Sequence, residues 1–267
     1  MIREPAVAGH FYPGNSQVLR KDVENYLQTE APPEPALGIV SPHAGYRYSG
    51  HVAGAVFSKV KIPNQAIVLC PNHTGMGAFA AINSSGAWET PLGNMDIEES
   101  LAKKLMELNP SIEEDDMAHA REHALEVQIP FLQVLNPQCK MVPLCLSHFP
   151  YGECERMGQA LAQLIKDASE EILLVASSDM NHYENQERTL KKDQMAIDRI
   201  LALDPAGLYE TVHEESISMC GIIPTTCMLI AALALGASEA TLVKHATSGD
   251  VSGDYAGVVG YAGIIVR

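Results

Sequence analysis

In the stretch GIVSPHAGY, residues 38–46, a short apolar run passes directly into a loop that carries a histidine. Two further stretches repeat this arrangement, IVLCPNHTG at residues 67–75 and LLVASSDMNH at residues 173–182. Runs as apolar as these have no face suited to water and are typical of central strands in a sheet that is covered on both sides. The three stretches therefore predict a buried sheet with polar loops after its strands.

Short apolar runs alternate with longer amphipathic stretches along the chain, which is the pattern of an α/β protein. Strands are predicted at residues 37–41, 66–70, 141–146, 172–176 and 258–266. Helices are predicted at about residues 49–60, 98–108, 122–135, 154–166, 187–203 and 224–235. We expect one domain over residues 1–267, a three-layer sandwich with a mostly parallel or mixed central sheet and helices on both faces.

The composition limits the class of protein. The 267 residues include 18 Lys and Arg against 33 Asp and Glu, which gives a net charge of −15. An acidic surface repels phosphate backbones and anionic lipid, so we expect neither a nucleic-acid partner nor a membrane partner. The opening residues MIREPAVAGHFYPG lack the pattern of a secretory signal, and no apolar run is long enough to span a bilayer, so a cytoplasmic location is expected. Six cysteines without a CxxC pair predict mostly reduced thiols.

Histidines follow several of the predicted strands. His43 and His73 come directly after two of them, Asp179 and His182 follow a third, and His148 follows a fourth. Ligands of open α/β sheets bind beyond the carboxyl ends of the strands, so these side chains are expected to converge on one cleft. Each histidine alone is better explained by a core or surface position. Their shared placement favours a metal site, because imidazole is a common ligand of iron, zinc and copper.

A competing metal motif lies at residues 119–123, His-Ala-Arg-Glu-His. The spacing H-x-x-E-H is that of inverted zinc peptidases, in which two histidines one helical turn apart bind zinc and the glutamate is the base. Two aspartates just before the motif are typical of a helix start, which places His119 at or before the beginning of the predicted helix and argues against a zinc peptidase. Two interpretations remain for Glu122, His123 and Glu126. They form a partly buried polar face of the helix, or they orient metal ligands or substrate by hydrogen bonds.

Cys220 stands in the motif SMCGIIPTT, residues 218–226, just before a predicted helix. A sulfur near the positive end of a helix favours the thiolate, which binds metal or acts as a nucleophile. A small buried hydrophobic residue is the plainer interpretation of an unassigned cysteine. The polar stretch TSGDVSGD, residues 247–254, fits an active-site loop and a simple hairpin equally well.

Eight motifs in order, running from Pro5 to Val266, resemble the Memo family. They are AGHFYPG (8–14), SPHAGYRYSG (41–50), PNHTG (71–75), ETPLGNMDIEE (89–99), EHALEVQIPFLQ (122–133), VASSDMNHY (175–183), MCGIIPTT (219–226) and VVGYAG (258–263). Eight ordered motifs are far more specific than any one of them. The resemblance implies a single α/β domain similar in fold to the LigB-type class III extradiol dioxygenases.

The resemblance also implies a nonhaem metal pocket. In those dioxygenases two histidines and one carboxylate bind Fe(II), and a further histidine transfers protons. By motif position His43 and His73 match the two histidine ligands, Cys220 matches the third ligand, and His182 matches the pocket histidine, with Asp179 beside it. A thiolate in place of the carboxylate gives a softer site than that of a ring-cleaving dioxygenase.

The expected function is therefore an oxidoreductase of unknown substrate that uses Fe(II), with copper or zinc as the other metals considered. His182 and Asp179 are the expected catalytic residues, and His10, Tyr12, His123 and Glu126 are expected to bind the substrate. The alternative is a binding module that holds a peptide or small-molecule ligand in the same pocket without turnover. Family analogy adds a radical-SAM protein as an expected partner, and no agreed substrate follows from membership.

Overall fold

The computed structural model describes residues 2–27 and 32–267. The strands are β1 Ile2–Arg3, β2 Gly38–Ser41, β3 Gln65–Pro71, β4 Ala80–Ile82, β5 Ala87–Thr90, β6 Gly93–Asp96, β7 Glu113–Glu114, β8 Lys140–Leu146, β9 Ile172–Ser177, β10 His182–Glu184, β11 Ala240–Thr247 and β12 Val258–Val266. The helices are α1 Ser16–Tyr26, α2 Tyr46–Phe57, α3 Glu99–Leu108, α4 Ile129–Leu135, α5 Tyr151–Asp167, α6 Gln186–Leu201, α7 Pro205–Glu214, α8 Ile222–Ala234 and α9 Gly249–Ser252, with a 3₁₀ turn at Glu126–Gln128.

A mixed sheet of nine strands forms the centre of the molecule, in the order β10-β12-β2-β9-β3-β8-β4-β7, with β11 also paired to β12. The four strands β2, β9, β3 and β8 run parallel, whereas β12 and β4 run antiparallel to their neighbours in this group. Nearly every residue of the four parallel strands is buried, as the continuous apolar runs predicted. A small separate sheet, β1-β5-β6, completes the strand set of the described residues.

Helices cover both faces of the central sheet. Gly38 of β2 faces Met228 of α8, where an added Cβ would meet the Met228 sulfur, and Gly263 of β12 faces Val52 and Val56 of α2. Val40 pairs with Ile264, so these two residues face the same side of the sheet. Gly38 lies two residues from Val40 and shares that side, whereas Gly263 is next to Ile264 and faces the other side. The predicted α/β class, with a mixed central sheet between two helical layers, is confirmed.

One predicted helix begins later than expected. Residues 122–123 are irregular, residues 124–125 form a turn, a 3₁₀ turn follows at Glu126–Gln128, and α4 starts only at Ile129. The Glu122 carboxylate explains this start, because Oε1 accepts the backbone N–H of Ala124 and holds these residues in a turn. The prediction of a helix from residue 122 is therefore wrong for its first residues. In the described ranges, no helix has the length and apolarity needed to cross a membrane.

Candidate metal centre

A cavity of about 600 Å³ opens where the parallel strands β2, β3 and β9 end. His43, His73 and Asp179 each lie two residues beyond the end of one of these strands, so the sheet itself brings them together. The residues that line the cavity are Phe11, His43, Ala44, Gly45, His73, His123, Asp179, His182, Tyr183, Ser218, Cys220 and Val259. The convergence of strand ends therefore produces an imidazole-rich pocket.

Three imidazoles meet in this pocket. One nitrogen each of His43, His73 and His123 lies within 4.8 Å of the other two, and among the described residues no other set of three or more His, Cys, Asp or Glu has this geometry. The ring of His73 stacks on that of His123 with centroids 4.8 Å apart, and His43 meets both rings edge-on. His123, which we expected to bind substrate, thus lies with the two histidines that were expected to bind metal.

Hydrogen bonds determine which nitrogen of His43 faces the pocket. Ser177 Oγ donates to the carbonyl of Ala124 at 2.6 Å, so the hydroxyl has no hydrogen left for another partner. The same oxygen accepts from Gln128 Nε2 and lies 2.9 Å from His43 Nδ1. His43 must therefore carry its hydrogen on Nδ1 and present the lone pair of Nε2 to the pocket.

His73 is oriented by a carboxylate. Glu122 Oε2 accepts the backbone N–H of His73 at 2.6 Å, and Oε1 lies 2.9 Å from His73 Nδ1. Burial raises the pKa of Glu122, but the hydrogen bonds from the His73 ring and from the backbone N–H groups of Ala124 and His73, together with the attraction of His73, lower it overall. An ionised Glu122 accepts the Nδ1 hydrogen and leaves Nε2 free, as carboxylates behind metal-binding histidines do.

Burial favours the neutral form of three pocket imidazoles, His43, His123 and His182. The pKa of His43 lies well below its ordinary value, first because the ring is buried and then because His73, His123 and His182 surround it. Burial also lowers the pKa of His123 and of His182. A neutral imidazole has a nitrogen lone pair that can bind a cation. Several such lone pairs face one another in this pocket, and a metal cation between them would be stabilised by all of them.

Cys220 adds a sulfur beside His43. Its Sγ lies 3.1 Å from His43 Nε2 and accepts the backbone N–H of Asp179 at 3.3 Å. Burial and the neighbouring Asp179 raise the pKa of Cys220 well above its ordinary value. Without a cation the group is therefore a thiol, which donates its hydrogen to the lone pair of His43.

Asp179 lines the cavity and holds the loop of the same histidine. Its Oδ1 accepts the backbone N–H of His43 at 2.8 Å and that of Ala44 at 3.3 Å, and Oδ2 lies 3.9 Å from His43 Nε2. Burial raises the pKa of this carboxyl to about 7, although both backbone hydrogen bonds oppose the shift. Asp179 therefore changes its protonation near neutral pH while it holds the His43 loop.

His182 reaches the pocket from the start of β10. Its Nδ1 donates to the carbonyl of Ser218 at 2.8 Å, and its backbone N–H donates to Ser218 Oγ at 2.7 Å, so Nε2 again carries the lone pair. Asn181 accepts from both the backbone and the hydroxyl of Ser218. The next residue, Tyr183, is largely exposed at the cavity and has a left-handed backbone with φ of 61°.

Three of the residues that we expected to bind substrate lie elsewhere. Tyr12 Oη donates to Glu126 at 2.6 Å, and Glu126 also accepts from Arg3 and from two backbone N–H groups of residues 6–7, so it anchors the amino-terminal segment. His10 is exposed and lines a separate groove. Phe11, between His10 and Tyr12, is the residue of this segment that lines the cavity, with its ring 4.7 Å from that of His123.

Two other histidines that the sequence singled out lie outside the cluster. His119 is buried, donates from Nε2 to the carbonyl of Ala81 at 3.2 Å and packs edge-on to Trp88. No helix places it one turn from His123, so the H-x-x-E-H spacing lacks the geometry of a zinc peptidase. His148 lies against His213 on the surface.

Six further pocket residues were not predicted as site residues. They are Phe11, Ala44, Gly45, Tyr183, Ser218 and Val259. Each lies inside one of the quoted motifs, within two residues of its histidine or cysteine or, for Val259, in the final strand motif, so their place in the motifs was the indication that the sequence offered. The stretch 247–254 contains the end of β11 and the short helix α9, which connect to β12. No residue of that stretch lines the cavity.

Fold and pocket together define a single-domain, three-layer α/β protein with an imidazole-rich cavity at the carboxyl edge of its sheet. The family model described as Memo-like protein matches residues 3–265, and the chain belongs to the Memo family. A MEMO1 family protein of Methanopyrus kandleri is 41% identical over 281 residues, covering 100% of this chain and 99% of its own. Another from Pyrobaculum arsenaticum is 41% identical, covering 99% of this chain and 98% of its own.

A solved structure shows the same fold. The crystal structure of an uncharacterized protein, JW3007 from Escherichia coli K12, superimposes with a TM-score of 0.55 at 15% sequence identity. The match covers 85% of this chain and 98% of the other. At 15% identity this comparison supports a shared fold, meaning the arrangement of sheet and helices, and nothing about function.

Proposed function

We propose that this Memo-family protein is a metal-dependent oxidoreductase whose metal, iron(II) or copper, binds in the imidazole pocket. The observation that carries the proposal is the convergence of His43, His73 and His123 within 4.8 Å. His43 and His73 are the first two ligands, His123 is the nearest further imidazole, and the Cys220 sulfur stands beside His43 as a soft donor. Zinc fits the same donors without redox chemistry.

The donor set fits such a metal for reasons internal to the pocket. The hydrogen bonds to Ser177 and Glu122 turn the Nε2 lone pairs of His43 and His73 into the cavity. Cys220 donates to one of those lone pairs, so a cation there would displace a proton and convert the thiol into a thiolate ligand. Imidazole and thiolate donors together favour iron, copper and zinc over magnesium or calcium.

A bound iron or copper would supply one-electron chemistry, and the residues around it would handle protons and position the substrate. His182 is the proposed proton-transfer residue, because its Nδ1–H is committed to Ser218 and its Nε2 remains free. Asp179, with a pKa of about 7, holds the His43 loop by two backbone hydrogen bonds and can take up a proton at neutral pH.

The cavity sets the size and character of a substrate. Its volume of about 600 Å³ accommodates a small organic molecule or the side chain of a peptide. Phe11, Tyr183 and Val259 contribute apolar and aromatic surface, so the preferred substrate is proposed to be partly apolar. A radical-SAM protein partner and a cytoplasmic location stay predictions.

Metal analysis tests the site. The protein is reconstituted anaerobically with Fe(II), Cu(II) or Zn(II), and bound metal is measured for wild type, His43→Ala, His73→Ala, His123→Ala and Cys220→Ser. We expect the first two variants to lose the one equivalent of metal that the cavity binds, the last two to bind it more weakly, and His10→Ala, which removes an exposed histidine outside the cavity, to match wild type. Wild-type metal content in both His43→Ala and His73→Ala would show that the site is wrong.

Oxygen uptake tests the activity. The iron-loaded protein is supplied with a panel of catechols and other small reductants, and the rate is compared with that of His182→Gln, which keeps a similar size but cannot transfer protons. We expect substrate-dependent uptake that the substitution lowers by about 100-fold or more, as is usual for loss of general acid–base catalysis. Tight metal binding and ligand binding without any uptake would instead favour the non-catalytic binding module.

A further inference from the structure

A second pair of imidazoles lies outside the cavity, where the loop after β8 meets the end of α7. His148 follows β8 by two residues, and His213 is the penultimate residue of α7. Their Nε2 atoms are 3.4 Å apart, and both side chains are exposed. The proposed function of the cavity uses neither residue.

The distance between the two nitrogens is that of a metal chelate. Hydrogen bonds from N–H to oxygen fall at about 2.7 to 3.2 Å, and by that standard the 3.4 Å between the two imidazole nitrogens is long. Two nitrogens bound tetrahedrally to one zinc ion at about 2.0 to 2.1 Å are separated by about 3.3 to 3.4 Å. The two rings are thus already spaced for one ion between them.

Tyr209 holds both histidines in this arrangement. His213 donates from Nδ1 to the Tyr209 carbonyl at 2.6 Å, so its Nε2 carries a lone pair that faces His148. The Tyr209 hydroxyl donates to the carbonyl of Phe149 at 3.1 Å, which ties the residue after His148 to α7. The Tyr209 ring also packs on His213, with centroids 4.3 Å apart. One tyrosine therefore orients the first imidazole and anchors the loop of the second.

We propose that His148 and His213 form a second transition-metal site that binds Zn(II) or Cu(II) through their Nε2 atoms. The remaining coordination positions face solvent and are filled by water, so the site is open and exchangeable, unlike structural zinc sites with four protein ligands. Because β8 pairs with β3, the strand that precedes His73, the site lies at the same edge of the sheet as the cavity. It forms whether or not a metal occupies the cavity.

Metal stoichiometry tests this site. Zn(II) is titrated against a chromophoric chelator into wild type, His148→Ala, His213→Ala and, as a matched control, the exposed histidine variant His10→Ala. We expect wild type and His10→Ala to bind one equivalent more than His148→Ala and His213→Ala, or to bind the last equivalent at least 10-fold more tightly. Identical titrations of all four proteins would overturn the proposal.

A spectroscopic measurement keeps this test separate from that of the cavity. One equivalent of Cu(II) is added to the His43→Ala/His73→Ala protein, which lacks both central histidines of the cavity, and to the same protein carrying His213→Ala. We expect electron paramagnetic resonance to show nitrogen coordination that His213→Ala abolishes. A copper signal that His213→Ala leaves unchanged would contradict the second site, whatever the result for the cavity. Should the double variant be unfolded by circular dichroism, the zinc titrations of the single variants decide.

Discussion

Glu122 holds His73 at two points, since one carboxylate oxygen accepts the backbone N–H at 2.6 Å and the other lies 2.9 Å from the ring Nδ1. The carboxylate is completely buried and accepts a further backbone N–H from Ala124. A single side chain thus sets the loop, the ring orientation and the tautomer of one proposed ligand. Such support commonly matters as much for metal affinity as the ligand itself.

Glu122→Gln should weaken metal binding about 10- to 100-fold, a typical effect of losing the group behind a metal-binding histidine. A glutamine amide has one acceptor oxygen, so its NH₂ group would face either the backbone N–H of His73 or the ring Nδ1–H. Competition with a chelator measures the affinity. Glu113→Gln, at an exposed position of β7, is the control and should bind as wild type does. Equal affinities for the two variants would show that Glu122 has no such role.

Ser177→Ala should remove the hydrogen bond that fixes the tautomer of His43. The hydroxyl is the acceptor for the His43 Nδ1–H, and without it the ring is free to move its hydrogen to Nε2, where it blocks the metal. We expect about 10-fold weaker metal binding. In the metal-free wild type, nitrogen NMR of His43 should show a protonated Nδ1 and a bare Nε2, and the variant should show a mixture.

Ser58→Ala provides the comparison for that experiment. Its hydroxyl bonds to a backbone carbonyl at the far end of α2, so the substitution removes a similar group away from the pocket. Its metal affinity and His43 spectrum should equal those of wild type. A wild-type spectrum in Ser177→Ala would contradict the hydrogen-bond assignment.

His119 should make the fold sensitive to acid. Burial lowers its pKa to about 4, whereas a histidine in the unfolded chain titrates near 6.5. Below pH 6.5 the unfolded chain therefore binds a proton that the folded protein does not, and stability falls until the pH reaches about 4. Above pH 6.5 the contribution is constant.

Urea unfolding of His119→Phe measures this effect. Between pH 7.5 and pH 5, wild type should lose about 2 kcal/mol more of its unfolding free energy than the variant. This value follows because pH 5 lies about 1.5 units below the pKa of histidine in the unfolded chain, and each unit corresponds to about 1.4 kcal/mol. A chelator in the buffer removes metal effects. His10→Phe, at an exposed position, should keep the wild-type pH dependence. Equal pH dependence in His119→Phe and wild type would refute the assignment.

Gly54→Ala should destabilise the packing of α1 on α2. An added Cβ would meet the backbone oxygen of Tyr26, an atom that cannot rotate away. Forcing the two helices apart should cost about 1 to 3 kcal/mol. Gly152→Ala in α5 has no atom near the added Cβ and should leave stability unchanged or raise it by up to about 1 kcal/mol. Thermal or urea unfolding decides, and equal effects of the two substitutions would contradict the packing.

The sheet was more predictable from the sequence than the small helices. Strands such as β3 and β9 are buried on both faces, so their composition stands out in the chain. Helices α1 and α7 were not predicted, because each buries only two residues and its apolar stripe is narrow. Strand β11 was also missed, since only its last two residues are buried and it lies outside the continuous apolar runs.

The pocket was predictable as far as strand ends determine it. His43, His73, Asp179 and His182 lie where the carboxyl-edge rule places them. The contacts that tune them join distant parts of the chain, because Glu122 is 49 residues from His73 and Cys220 is 177 residues from His43. His148 obeys the same strand-end rule, yet it turns to α7 and pairs with His213. Sequence position alone does not specify such side-chain directions.

X-ray absorption spectroscopy of the protein loaded with one equivalent of Zn(II) identifies the atoms that bind the metal and so tests whether the cavity is a metal centre. The His213→Ala protein is used so that the surface pair does not contribute. We expect imidazole nitrogens at about 2.0 to 2.1 Å and one sulfur at about 2.3 Å, with the sulfur absent in Cys220→Ser and the imidazole signal reduced in His43→Ala. A coordination shell of oxygen atoms alone, unchanged by either substitution, would contradict the proposed metal centre.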